Sequence, residues 1–243
     1  MSYLNTKPLL FGIKNHPLIN EIELVEDFPS AIGQMLIDGE IDIGLVPVAI
    51  IPQLKEWHFA GDYCIGCNGA VASVGIFSEV PMELIQKVFL DYQSRTSALL
   101  AQILFKEYWK KDVEYIITSS DAYRKKIGGN TAALVIGDRA LEQKNISVYS
   151  YDLGEAWKVH TGLPFVFAAW ISNKKLSPAF IKQFNEANQY GLDHIIEVIE
   201  QNENAAFDLN AYFTKYISYH LDEEKKFGLT LFLQKLINTE HLI

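Results

Sequence analysis

The sequence predicts an α/β protein of two lobes around a central cleft. Short apolar runs bounded by turn residues alternate with amphipathic stretches from the N-terminus to about residue 171. The alternation falls into two blocks, and the apolar run Val166–Ile171 is expected to carry the chain back to the first. From Pro178 onward the pattern is helical, with Phe180, Phe184, Ala187, Leu192, Ile195, Ile196 and Ile199 as its apolar face. The lobes are expected at residues 1–90 with 172–243 and at residues 91–171, and such lobes can close like a hinge on a small ligand.

In the first block, Tyr3 and Leu4 read as the end of a strand, Asn5 as a residue that tolerates the turn after it, and Pro8 as part of a first helical turn. In open α/β sheets ligands collect at the carboxyl ends of strands, so Asn5 is either a ligand contact or only a turn residue or N-cap. Glu23-Leu24-Val25 is extended, Phe28-Pro29-Ser30 turns into an N-cap, and a helix runs from Ala31 to Asp38, where Gly39 ends it. Ile41–Val46 is a buried strand, and Pro47 opens a second strand-to-helix turn. Asp62–Cys67 reads as strand and turn. Gly69–Ser78 alternates small and apolar residues, which suits a long strand with something packed close to its backbone. Ser73, in its middle, is a satisfied core hydroxyl or a ligand contact.

The second block opens with Val88-Phe89-Leu90, followed by Ser94-Arg95-Thr96-Ser97 and a helix over Ala98–Trp109. Hydrogen-bonding residues grouped at a helix start make an anion site, although an ordinary N-cap needs only one of them. Val113–Ile116 is a strand, Asp121–Ile127 a short helix, Ala132–Ile136 a buried strand ending at Gly137-Asp138, and Ile146–Tyr149 another strand. Asp152–Trp157 reads as a turn. Asp208–Leu221 and Glu223–Ile237 continue the helical tail.

Composition narrows the function. The formal net charge is −9 with no basic cluster, which argues against nucleic acid as a partner. No apolar run reaches the ~20 residues of a membrane span, and no charged-then-apolar leader is seen, so the expected compartment is the cytoplasm and no membrane partner is expected. The two cysteines, Cys64 and Cys67, lack a second pair for zinc; the readings are a buried pair, a redox motif or a metal site, in that order. There is no Ser-His-Asp order, no HExxH, no GxxxxGK and no GxGxxG.

Several stretches, in order along the chain, resemble the menaquinone-biosynthesis chorismate dehydratases of the futalosine route. They are Ser2-Tyr3-Leu4-Asn5-Thr6-Lys7-Pro8, Asp42–Ala49, Ser94–Ser97, Ile136-Gly137-Asp138 and Trp157 with Thr161–Ala168. The resemblance implies a type II periplasmic-binding-protein-like fold used as a cytosolic lyase. It implies conversion of chorismate, the small-molecule substrate, to 3-[(1-carboxyvinyl)oxy]benzoate and water, with no metal or organic cofactor. It also implies Asn5 and Ser73 as catalytic residues, and Ser94, Arg95, Thr96, Ser97, Gly137, Asp138, Thr161 and Gly162 as substrate-binding residues.

Two other readings follow from the same fold. A related enzyme of that route, 1,4-dihydroxy-6-naphthoate synthase, carries a catalytic histidine after the strand that here is Leu134-Val135-Ile136, where this chain has Gly137. A solute-binding protein would bind a small anion without chemistry. Members of the resembling family carry a few apolar residues ahead of the N-terminal motif as a first strand. Here Met1 stands directly before Ser2, so the expectation is a start further upstream or a short strand.

Overall fold

A computed structural model describes residues 3–202 and 207–237. Ser2 of the N-terminal motif, and the strand expected ahead of it, lie outside the described residues. Two compact units divide the chain, Met1–Gly66 with Val166–Asp222 and Cys67–Phe165 with Glu223–Ile243.

Unit 1 opens on a 3-10 turn, Leu4–Thr6, followed by α1 (Lys7–Asn15) with proline in its first turn. The strand end expected at Tyr3 and Leu4 is not there: Tyr3 is extended, but Leu4 already turns. A second 3-10 stretch, Pro17–Glu21, leads to residues 22–28, which join no strand. α2 (Pro29–Asp38) starts two residues before the expected Ala31 and ends on left-handed Gly39 as expected. β1 (Ile43–Pro47) runs into a 3-10 helix, Val48–Gln53, and then β2 (His58–Cys67).

Unit 2 continues with β3 (Val74–Ser78), β4 (Lys87–Leu90), α3 (Arg95–Glu107), β5 (Glu114–Ile117), β6 (Thr131–Ile136), α4 (Asp138–Gln143), β7 (Tyr149–Asp152) and α5 (Leu153–Thr161). The chain then returns as β8 (Phe165–Ser172), α6 (Pro178–Asp193), α7 (Ile195–Glu200), α8 (Leu209–Ala211) and β9 (Ser218–His220). It closes with α9 (Glu223–Ile237).

The first sheet has the order β1-β8-β2-β9, the second β5-β4-β6-β3-β7. β8 runs antiparallel to β1, from Pro47 opposite Ala168 to Ile43 opposite Ser172, so the expected return of the chain to the first block is observed. The boundaries expected at 90 and 172 fall elsewhere. β3 and β4 hydrogen-bond into the second sheet, which places residues 67–90 with unit 2. α9 sets Phe232 edge-on against Trp157 and Phe165, with ring centroids 6.2 and 5.0 Å apart, which places it there too.

Four further elements differ from the sequence reading. The long strand expected over Gly69–Ser78 is only its second half. Positive φ at Gly69 (116°) and Ala72 (64°) makes the first half a turn. The strand expected at Ile146–Tyr149 starts only at Tyr149. The turn expected at Asp152–Trp157 is the start of a nine-residue helix. Ser218–His220 is a strand inside a stretch that reads as helical.

Each unit has its own core. In unit 1, α1 and α6 pack so closely that Gly12 and Gly191 leave no room for side chains. A Cβ on Gly191 would sit 1.9 Å from the Pro8 carbonyl oxygen, and one on Gly12 would sit 2.0 Å from that of Ala187. In unit 2, Trp157, Phe105 and Phe165 are fully buried. Cys64 and Cys67 are buried thiols that form no disulfide, each in its own unit. Among the described residues no helix is long and apolar enough to cross a membrane.

Candidate functional site

Strand direction gathers most of the candidate residues at one end of the second sheet. β4 and β6 are parallel, and β6 and β7 both run antiparallel to β3. The carboxyl ends of β4, β6 and β7 therefore lie beside the start of β3. Each of those three ends opens a helix: α3, α4 and α5. This is where open α/β sheets collect ligands.

Ser94 caps α3. Its hydroxyl oxygen accepts from the Ser97 N–H at 3.1 Å, and the hydroxyl donates to Ser97 Oγ at 2.9 Å. Thr96 and Ser97 are buried, whereas Arg95 is exposed. The N-terminal end of a thirteen-residue helix thus carries neutral hydroxyls on its positive dipole end, an arrangement suited to a carboxylate.

Ser73 is fully buried on the turn before β3. Its carbonyl accepts the Gly137 N–H at 2.7 Å, so the structure joins these two candidates directly. Gly137 has φ 64° and ψ −149°, a conformation essentially confined to glycine. Asp138 then begins α4.

The turn itself is held from α5. The Asp152 carboxylate accepts from Glu155 N as an ordinary N-cap does, and also from Val71 N and Ala72 N, at 2.7 Å in the last case. Burial holds this carboxyl above its ordinary range, while the N–H groups of Glu155, Val71, Ala72 and Gly154 favour the charged form.

A second carboxylate secures the turn between β4 and α3. Asp91 accepts from Gln93 N at 2.8 Å, Tyr123 Oη at 2.5 Å and Arg139 Nη2 at 2.8 Å. Arg139 reaches on to Gln93 Oε1 and Asp121 Oδ1 and lies over the Tyr92 ring. Burial pushes Asp91 up, and Tyr123 and Arg139 oppose it. The same burial, with Asp91 close by, pushes the Tyr123 phenol well up.

Sequence reasoning passed over both carboxylates. A signal existed for one: Asp152 followed by Glu155 is a capping-box pattern. Asp91 and Arg139 are far apart in the chain, and only the register of β4 on β6 brings them together.

Thr161 and Gly162 do not join this group. Thr161 Oγ1 donates to the Trp157 carbonyl, and left-handed Gly162 caps the C-terminal end of α5. A nine-residue helix separates them from Asp152, roughly 13 Å at 1.5 Å per residue. Asn5 belongs to unit 1, half-buried on the Leu4–Thr6 turn, with its carbonyl accepting from Tyr219 Oη at 3.0 Å.

Two α/β units, each with its own sheet and with the chain passing from one to the other and back, define a periplasmic-binding-protein-like fold. Solved structures agree. A Candida albicans protein described as having the generic periplasmic binding protein fold matches with TM-score 0.65 at 14% identity, over 96% of this chain and 88% of that one. Protein AF1704 from Archaeoglobus fulgidus matches with TM-score 0.73 at 13% identity, over 99% and 96%. The family model for menaquinone biosynthesis matches residues 1–237, and the chain belongs to that family. It is 25% identical over 265 residues to a chorismate dehydratase of Thermus thermophilus, covering 96% of this chain and 92% of the relative. It is 28% identical over 231 residues to a chorismate dehydratase of Campylobacter jejuni, covering 92% and 86%.

Proposed function

We propose that this protein dehydrates chorismate to 3-[(1-carboxyvinyl)oxy]benzoate, the opening step of the futalosine route to menaquinone. The observation that carries the reading is the end of the second sheet, where buried Thr96 and Ser97 start α3 and a constrained turn presents Ser73. Membership of the menaquinone-biosynthesis family and likeness to two chorismate dehydratases support it.

The chemistry suits neutral donors. Chorismate loses the proton on C3 and the hydroxyl on C4, and the ring becomes aromatic. The electrons left on C3 spread through the ring alkene into the ring carboxylate before hydroxide leaves as water. Hydrogen-bond donors at that carboxylate stabilise the developing charge, and one such donor is commonly worth roughly 2.7–4 kcal/mol in barrier. Ser94, Arg95, Thr96 and Ser97 are assigned to that carboxylate, with Gly137 and Asp138 beside them. Asn5 and Ser73 are assigned to orienting the substrate and the departing hydroxyl. The enolpyruvyl carboxylate of the substrate itself takes the proton. Thr161 and Gly162, with their polar groups engaged at the end of α5, are assigned a supporting place. At position 137, where the related naphthoate synthase places a catalytic histidine, a side chain would strain the backbone, which favours the dehydratase.

Pure protein incubated with chorismate is expected to deplete its ultraviolet absorbance and to yield a product lighter by one water on mass analysis. Binding without depletion would instead make the protein a small-anion binder. A cleft carboxylate or histidine within reach of the substrate, whose replacement abolishes turnover with binding intact, would overturn the substrate-assisted step.

A further inference from the structure

We infer that Asp152 is a positioning residue for this reaction: from α5 it fixes the Val71–Ser73 turn, and through that turn it sets Ser73 and Gly137. The inference rests on the dehydratase reading and concerns a residue that does not itself touch the substrate.

Helix capping alone does not account for Asp152. A cap needs the Glu155 N–H, which it has at 3.0 Å. The same carboxylate takes Val71 N on both oxygens, at 3.1 and 3.0 Å, and Ala72 N at 2.7 Å, from a segment about eighty residues earlier in the chain. The turn it grips is under strain. Ala72 has φ 64°, a left-handed conformation that a Cβ disfavours, and the Ser73 N–H folds back to the Val71 carbonyl at 2.8 Å. Such a conformation persists only where its surroundings impose it, and here the Asp152 carboxylate accepts from two N–H groups of the turn.

A steric contact complements the polar one. A Cβ on Gly154 would lie 2.5 Å from Cys67 Sγ and 2.6 Å from the Gly69 carbonyl oxygen. The start of α5 therefore presses directly on the segment that Asp152 holds. From the turn, the Ser73 carbonyl passes the constraint to Gly137 N at 2.7 Å. Charge at Asp152 and bareness at Gly154 thus do one job, and a misplacement near 1 Å at a reacting centre costs on the order of a hundredfold in rate.

The test compares three variants of the full chain. Asp152→Asn keeps the shape and places a donor against N–H groups. Gly154→Ala keeps the carboxylate and pushes the turn. Ser177→Ala removes the cap of α6, whose oxygen accepts from Phe180 N, and serves as a control for loss of a cap. All three are expected to lower the melting temperature. Only Asp152→Asn and Gly154→Ala are expected to lower kcat, by roughly ten- to a hundredfold with KM within about twofold. Faster amide exchange at Val71 and Ala72 should accompany the loss in Asp152→Asn. If exchange quickens while kcat stays at the wild-type value, Asp152 is only a cap, and the inference fails with the dehydratase reading intact. If wild-type protein leaves chorismate unchanged, the reading fails first and the positioning role falls with it.

Discussion

Buried carboxylates grip the turns around the candidate groups of unit 2, whereas the turn carrying Asn5 in unit 1 receives a phenol and closes on its own backbone. In unit 2, Asp91 and Asp152 each gather several donors from two or more segments. In unit 1, the turn carrying Asn5 receives Tyr219 Oη on its carbonyl, and Thr6 closes locally on the Tyr3 carbonyl. The sheets differ in the same sense. β1 ends the first sheet with β8 as its one strand partner among the described residues. A cavity of about 900 Å³ lies against it, lined by Tyr3, Leu24, Ile32, Ile43 and Trp170 among others. The candidate groups of unit 2 are therefore tied to buried carboxylates, whereas the turn bearing Asn5 is tied to a phenol and to its own backbone and borders that cavity.

The strongest way to break this contrast is to remove Arg139. Its partner Asp91 has a side chain with no exposure, and an uncompensated buried carboxylate costs about 3–5 kcal/mol. Arg139→Met should lower stability by that order in denaturant melts. An effect no larger than that of losing Tyr219 would show that charge does not hold unit 2.

Gly191→Ala probes unit 1 through packing instead. The new Cβ would meet the Pro8 carbonyl at 1.9 Å, so α1 must slide on α6. Overpacking of this kind costs about 1–3 kcal/mol. Because α1 follows directly on the Asn5 turn, kcat is expected to fall with it, and unchanged kcat in a destabilised protein would separate Asn5 from the chemistry.

Tyr219→Phe is gentler. It deletes the hydrogen bond to the Asn5 carbonyl and should cost about 0.5–1.5 kcal/mol. Denaturant melts with chorismate turnover measured alongside check it. A fall in turnover beyond the change in stability would mean that this hydrogen bond places Asn5.

How much of this was legible in the sequence depends on how local each signal is. The α2 stop at Gly39 and the return strand expected over Val166–Ile171 rest on neighbouring residues and were readable, whereas the helix expected from Ala98 begins at Arg95 with Ser94 as its cap. The turn at Ala72 was not, because an alanine with positive φ has no mark in sequence and its partner Asp152 lies about eighty residues away. α5 was hidden by Gly154, whose small size serves the Cys67–Gly69 contact rather than the helix. β9 was hidden because three residues carry no period of their own and take their conformation from β2. The Asp91–Arg139 cluster needed the register of the parallel strands before its members could be connected. The unit boundary failed for the same reason: β3 and β4 read as further alternation, and only pairing assigns them to the second sheet.

The smallest expected effect lies where α9 is tied to unit 2. Glu107, near the end of α3, accepts from Lys235 of α9 and pairs with His160 Nε2 at 3.3 Å. Burial pushes the Glu107 carboxyl up, but Lys235 and His160 outweigh it and hold the group below its ordinary value of 4.5. A depressed acid stabilises the fold at pH above that ordinary value and loses its contribution as pH falls through the folded value. The pair is partly exposed, so its contribution at neutral pH should not exceed about 1 kcal/mol. Glu107→Gln is therefore expected to melt slightly below wild type at pH 7, with the gap closing as pH drops below 4.5. No gap at pH 7 would mean that α9 is held by the packing of Phe232 on Trp157 and Phe165 alone. In that case charge would secure the turns of unit 2 and aromatic packing its last helix.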